Sequence, residues 1–323
     1  MSLLGHDDQI AAFRAAADSG RLHHAWLLTG AEGLGKASFA RAAATRLLAD
    51  AAGPAVQRPG FDTPEDHPIV HYIRAGSHPD LRILERLVKD KSEDLARSIT
   101  IDQVRSLQSL FATTPSLSPR RVVIIDAIDD LERPAANALL KNLEEPPAGT
   151  TFFLISHAPG RLLPTIRSRC RQLRFAPLDA AQMRLALSRA LPEESADEID
   201  ALVRVGNGSP GRALGFAGLQ IAALDAAMDR LVESGDPTNA IRAALSKQLG
   251  LKAAQARYEA YLERVPARIA SEAQRRRGAA MAEAVSLWED ARRIGESAVH
   301  LSLDPATTVF ELGTMLAKLA PAR

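Results

Sequence analysis

The sequence predicts a parallel α/β domain built around a glycine-rich loop and followed by an all-helical C-terminal region. Short β-branched runs alternate with amphipathic segments through the first half, as in a sheet whose faces are covered by helices. The run Gly30-Ala31-Glu32-Gly33-Leu34-Gly35-Lys36 stands between a strand-like and a helix-like segment. Beyond Pro177 the strand signals stop, and the chain becomes Ala- and Leu-rich with helical spacing.

Taken in order, Ala25–Thr29 reads as a buried strand, 30–35 as a tight loop and 36–49 as a helix. Residues 53–68 carry Pro54, Pro59, Gly60, Pro64 and Pro68 among scattered charges, which predicts an irregular surface excursion. Thr100 and Gln103 have the spacing of a capping box, opening a helix with Val104, Leu107, Leu110 and Phe111 on one face and Pro115 as its stop. Arg121–Asp126 is a β-branched strand ending in an acid; a helix follows from near Pro134 to Pro146-Pro147. Residues 151–156 form a third strand and 171–175 a fourth. The helical remainder is interrupted at Gly206–Gly211 and at Ser234–Pro237, which predicts a small helical domain and then a larger one.

At 323 residues the chain has room for two or three compact domains. Forty Lys and Arg against 39 Asp and Glu, with 46% hydrophobic residues, describe an ordinary globular protein without a global basic field. One cysteine excludes an internal disulfide and a multi-cysteine zinc site, and fits a reducing, cytoplasmic setting. The region after Met1 has no basic stretch leading into an apolar core, and no apolar run reaches the roughly 18 residues of a membrane span, so neither export nor membrane insertion is expected.

The glycine-rich loop has the context of a P-loop. Gly30, Gly33 and Gly35 let backbone N–H groups turn toward phosphate oxygens, the helix start adds partial positive charge, and Lys36 can reach the terminal phosphates. The Mg²⁺-ligating hydroxyl expected next is replaced by Ala37, and Ser38 lies about 100° further round the helix. Asp126 suits the metal-side acid at the end of a neighbouring strand, but Ala127 follows it where a water-activating carboxylate would stand. Asp129 and Asp130 read as acids at the start of the next helix. The pattern therefore predicts nucleotide binding without turnover.

Arg161, Arg167, Arg169, Arg171 and Arg174 crowd the margin of the third strand, as either a solvated basic surface or a source of an arginine finger. Cys170 among them is either a thiol of lowered pKa or a buried inert one. Glu144-Glu145 closes a helix where the dipole disfavours negative charge, which leaves room for a compensating partner, but adjacent helix residues do not face one another and the pair reads as an exposed or interfacial helix terminus rather than an acid–base pair. Ser209 and Pro210 suit the N-cap and N1 positions of a helix that carries Arg212 in its first turn. Arg275-Arg276-Arg277 reads as a solvated helix face, since base-stacking aromatics are absent beside it. No metal is assigned; His23-His24 and Asp66-His67 lack ligand spacing.

In order, these motifs resemble the AAA+ subunits of the bacterial sliding-clamp loader. The resemblance rests on Gly5-His6, Leu22-His23-His24-Ala25 running into the P-loop, His78-Pro79-Asp80 and Ile101-Asp102-Gln103-Val104-Arg105. It continues through Asn137-Ala138-Leu139-Leu140-Lys141-Asn142-Leu143-Glu144-Glu145-Pro146-Pro147 and Ser168-Arg169-Cys170, covering about residues 5–215. It implies a RecA-like AAA+ domain over 1–177, a helical lid over 178–219 and a helical collar over 220–323 that joins a heteropentameric ring.

The resemblance also implies that Arg169 acts as an arginine finger in trans on ATP held by an adjacent motor subunit. Arg212 would occupy the lid's sensor position, and Ser156 or His157 the first sensor. Hydrolysing members have Thr or Ser after the P-loop lysine, an Asp-Glu pair, and usually a four-cysteine zinc module where this chain has residues 53–68. Ala37 and Asp126-Ala127 depart from that pattern, which implies a silent subunit holding ATP or ADP unhydrolysed at Gly30, Gly33, Gly35, Lys36, Asp126 and Arg212, with no zinc. The implied partners are the motor (gamma/tau) and delta subunits, the sliding clamp and primer-template DNA. The alternative is a hydrolysing motor, which needs Ser38 and another carboxylate to replace the missing groups.

Overall fold

The computed structural model describes residues 4–89 and 94–321. Contacts divide the chain into two compact units, one of residues 1–186 with 206–212 and the other of 187–205 with 213–323.

The first unit opens with α1 (Asp7–Asp18), then β1 (Ala25–Thr29), α2 (Lys36–Ala52), α3 (Pro68–Arg74) and β2 (Leu81–Glu85). Two short helices, α4 (Ile101–Arg105) and α5 (Leu107–Phe111), precede β3 (Arg121–Asp126). The unit continues with α6 (Arg133–Glu144), β4 (Thr150–Ser156), α7 (Pro164–Arg167), β5 (Arg171–Arg174) and most of α8 (Ala180–Ala190). All four strand pairings are parallel, in the order β2-β3-β4-β1-β5.

Both sheet faces are dry, which is why the central strands read as continuous apolar runs. Trp26, Leu28, Val122, Ile124, Phe153 and Ile155 face a core with Phe13 and the buried side of α2. Their neighbours Ala25, Leu27, Val123, Ile125, Phe152 and Leu154 face the opposite core, with Leu139 and Leu143 of α6 and Ile166 of α7.

Strand β2 is absent from the sequence reading. It lies at the sheet edge with only Leu84 fully buried, so its charged Arg82 and Glu85 hide the apolar pattern. The capping box holds: Thr100 Oγ accepts from Gln103 N while Gln103 Oε1 accepts from Thr100 N at 3.0 Å. The single helix expected after it is divided at Ser106, whose hydroxyl donates to Gln103 O at 2.7 Å, and it ends at Phe111, before Pro115.

Within the excursion at 53–68, residues 56–62 are held to α2 by Arg46 and Asp50. Arg46, 3% exposed, donates to Asp50 and to the carbonyl oxygens of Val56, Arg58, Gly60 and Asp62. Asp50 in turn accepts from Arg14 and from Val56 N, joining α1, α2 and the loop.

The second unit is helical. It contains most of α9 (Ala196–Gly206), the last residues of α10 (Pro210–Leu214), and α11 (Ile221–Ser234), α12 (Ala240–Leu249), α13 (Gln255–Arg275), α14 (Gly278–His300) and α15 (Pro305–Ala317). Helix α13 packs on α14 and α12 on α15, around Tyr258, Tyr261, Val265, Ile269, Leu312 and Leu316. Glu198 accepts from the first free N–H groups of α11, Ile221 N at 2.7 Å and Ala222 N at 2.8 Å. Arg275, Arg276 and Arg277 do not form the expected helix face. They close α13 and lead into α14, with Arg275 on Glu272 at 3.0 Å and Arg276 on the carbonyl of Leu319. Among the described residues, no helix is long and apolar enough to cross a membrane.

Candidate functional site

The loop after β1 turns at three glycines with positive φ, 145° at Gly30, 75° at Gly33 and 84° at Gly35, a region that side chains other than glycine rarely enter. Gly35 is the N-cap of α2, and no side chain occupies that cap, so the orphan N–H groups of the first turn face the loop. Lys36 is 2% exposed. Its Nζ donates to Gly30 O at 2.8 Å and to Ala31 O. Burial lowers its pKa to about 8, although Asp126, Asp129 and Glu32 act in the opposite sense.

Asp126 ends β3 in register with Ile155 of β4, while Ser156 ends β4 opposite Thr29 of β1. The carboxyl ends of three adjacent strands therefore converge beside the glycine loop, where ligands bind in open α/β sheets. Burial pushes the Asp126 carboxyl up, against the pull of His157, Arg41 and Lys36. Ala37 is partly buried against the core, and Ser38, one position later on α2, is exposed. Ala127 is buried and offers no carboxylate. Residues suited to cradling phosphate are present, while the groups that would complete a Mg²⁺ site and activate water are missing.

Asp129 and Asp130 are not the first-turn acids of α6, which begins at Arg133 after a 3₁₀ turn over Ile128–Asp130. Asp129 instead clamps the end of β4, accepting from Ser156 Oγ at 3.0 Å, His157 N at 2.6 Å and Ala158 N at 3.2 Å. The sequence carried no sign of this link, because it spans 27 to 29 residues and depends on strand order.

Ser209 behaves as the expected N-cap: its Oγ accepts from Arg212 N at 3.2 Å and also donates to Glu32 O at 3.0 Å. Gly211 N donates to Gly33 O at 2.9 Å, and a Cβ at Gly211 would lie 2.6 Å from Gly33 Cα. The backbone of 209–212 thus rests directly on the glycine loop, placing the Arg212 main chain beside Gly33. Gly30, Gly33, Gly35, Lys36, Asp126 and this segment form one cluster.

Arg169 makes its contacts elsewhere, with Glu144 at the end of α6 and with Thr165 and Ser168. Glu144 is thus an exposed helix terminus, as its place in the sequence suggests, and has Arg169 as a cation partner. Cys170 donates to Ile166 O at 3.1 Å, and burial pushes its thiol up to about 12, so the neighbouring arginines do not activate it. Among the described residues, no three His, Cys, Asp or Glu side chains gather as a metal site.

A five-stranded parallel sheet in this order, with a P-loop after β1 and an acid at the end of β3, defines a P-loop domain of the AAA+ type. The family model described as DNA polymerase III, delta subunit, matches residues 5–179, and the chain belongs to that family. It is 40% identical to DNA polymerase III subunit delta' of Pseudomonas aeruginosa over 58% of this chain and 53% of that protein. It is 31% identical to subunit tau of Escherichia coli over 83% of this chain and 39% of that protein. The chain thus spans about half or less of the length of these relatives. Among solved structures, a DNA polymerase III gamma subunit-related protein of Thermotoga maritima has a TM-score of 0.46 and 16% identity, over 96% of this chain and 99% of that chain.

Proposed function

We propose that this chain is the non-hydrolysing, delta-prime member of a DNA polymerase III clamp loader. In this role it supports ATP-dependent loading of the sliding clamp on primer-template DNA and supplies Arg169 in trans to ATP on a neighbouring motor subunit. The observation that carries this is a double loss around the nucleotide site: Ala37 stands where the metal-ligating hydroxyl would follow an otherwise well-formed P-loop, and Ala127 where the water-activating carboxylate would follow β3. The missing water-activating carboxylate by itself corresponds to about 10²–10⁴-fold in rate.

The P-loop keeps its glycine turns and Lys36, which suits it to hold ATP or ADP without turnover. Phosphate entry then requires Lys36 to leave Gly30 O and Ala31 O. The division into AAA+ domain, lid (178–219) and collar (220–323), the pentameric ring, and the motor, delta, clamp and DNA partners belong to this proposal. The motor alternative is disfavoured because Ser38, the hydroxyl it needs, stands one position late on α2, about 100° round the helix from the ligand position.

The test is steady-state ATPase of the protein alone and reconstituted with its organism's motor and delta subunits, clamp and primed DNA. We expect no turnover alone, and assembled turnover that falls sharply with Arg169→Ala, since arginine fingers supply roughly 10³–10⁵ in rate to the site they serve. Turnover by the isolated protein that is indifferent to Arg169 would overturn the assignment in favour of an independent motor.

A further inference from the structure

The pairing of Arg169 with Glu144 has a geometry that the finger role alone does not account for. Arg169 sits in the turn after α7, with its N–H on Ile166 O at 3.2 Å, and its guanidinium is anchored at two atoms. Nη2 meets Glu144 Oε1 at 2.7 Å, while Nη1 donates to Thr165 O at 2.8 Å and approaches Ser168 Oγ at 3.5 Å. The Arg169 side chain is still 33% exposed and that of Glu144 48%. The two residues are carried by packed neighbours. Leu143 precedes Glu144, Ile166 stands one turn before Arg169, and both are buried in the same core, so the spacing of α6 and α7 sets the distance between the charges.

A carboxylate on the last residue of α6 stands where the helix dipole disfavours it. A half-exposed pair of this kind contributes little to stability. Its effect is on orientation. Arginine has five N–H donors on a long side chain, and holding both terminal nitrogens selects one plane while Nε and the outward N–H bonds remain for another anion.

We propose that Glu144 is a positioning residue for Arg169: it holds the guanidinium in one orientation at the subunit surface, so that the finger meets an anionic phosphate on a neighbouring subunit without first being ordered. This rests on the finger role proposed above. Immobilising a flexible side chain at an interface is worth roughly a three- to tenfold factor.

The test uses the reconstituted loader with clamp and primed DNA, carrying wild type, Glu144→Ala, Glu144→Gln, Arg169→Ala or the Glu144→Ala/Arg169→Ala pair. Readouts are kcat and KM for ATP, affinity of this chain for the assembly with ADP and beryllium fluoride or with no nucleotide, and the unfolding midpoint of the isolated chain. We expect Glu144→Ala to lower kcat about three- to tenfold with KM nearly unchanged. Its affinity should weaken only when beryllium fluoride is present, and the unfolding midpoint should not move. Glu144→Gln, which still offers a carbonyl oxygen to Nη2, should recover part of the loss. In the Arg169→Ala background, removing Glu144 should cost nothing further.

An unchanged kcat in Glu144→Ala, in a loader that does depend on Arg169, would overturn this inference and leave the finger assignment standing. So would an equal loss in both backgrounds, which marks a structural role, or a rise in rate, which would make Glu144 a brake. If Arg169→Ala itself has no effect, the finger assignment fails and this inference fails with it.

Discussion

Lys36 carries its ammonium group into a site that is almost closed to water, and burial brings its pKa to about 8. An unfolded lysine titrates near 10.5, so between these values the unfolded chain binds more protons and stability from this group rises with pH. The penalty is complete below about pH 8 and relieved by about pH 10.5. Urea unfolding of wild type and Lys36→Met across this window should therefore converge in the wild type's favour, by no more than about 3 kcal/mol. A difference between the two proteins that is flat with pH would mean that Lys36 is hydrated in the folded loop. Ala37 and Ala127 act at the same scale by omission, and such substitutions are legible in a sequence because each is defined by its place in a short motif.

At the scale of elements, Arg46 organises the loop that follows α2. One guanidinium satisfies four carbonyl oxygens and a carboxylate, so the loop between Val56 and Asp62 is held by hydrogen bonds. Removing it would leave Asp50 and those carbonyls short of donors in a buried setting. Arg46→Ala should cost about 3–5 kcal/mol in urea unfolding and open 53–62 to proteolysis. Arg46→Lys should recover little, because a point charge cannot reproduce the planar fork. A loss under about 1 kcal/mol would show that the loop is held by its prolines instead. The excursion was visible in the sequence through Pro54, Pro59 and Gly60, yet its anchor was not. Arg46 looks like any other charged helix residue until the loop folds back over it.

At the scale of the molecule, each unit contains a carboxylate held below its ordinary range. Burial of Asp50 in the first unit opposes its charge, but bonds from Arg14, Val56 N and Arg46 outweigh it. Asp236 in the second unit is likewise buried, and bonds from Arg242 N, Ile241 N and the Arg242 side chain prevail. A depressed carboxyl stabilises the fold above its unfolded pKa, near 3.8, and that stability is lost as pH falls through the lower folded value. The chain's two tryptophans allow the units to be followed separately, because Trp26 lies in the first core and Trp288 on α14. In acid titrations of Trp288→Phe and Trp26→Phe proteins, Asp50→Asn should shift the Trp26 transition and Asp236→Asn the Trp288 transition. Coincident shifts in both probes would show that the chain unfolds as one cooperative body.

The sequence by itself determined what depends on neighbours along the chain. It marked the glycine turns before Lys36, the capping box at Thr100, the continuous apolar strands β1, β3 and β4, and the two missing catalytic groups. These follow from local backbone preference and from periodicity, which a short window contains. Tertiary structure alone decided that the edge strand β2 pairs with β3, that Asp129 clamps the end of β4, and that Ser209 and Gly211 rest on the glycine loop. It alone also showed that Arg169 meets Glu144. Those contacts join residues from 25 (Glu144 and Arg169) to 178 (Gly33 and Gly211) positions apart. No local propensity encodes them, because they are set by strand order and by the burial of Leu143 and Ile166 in a common core.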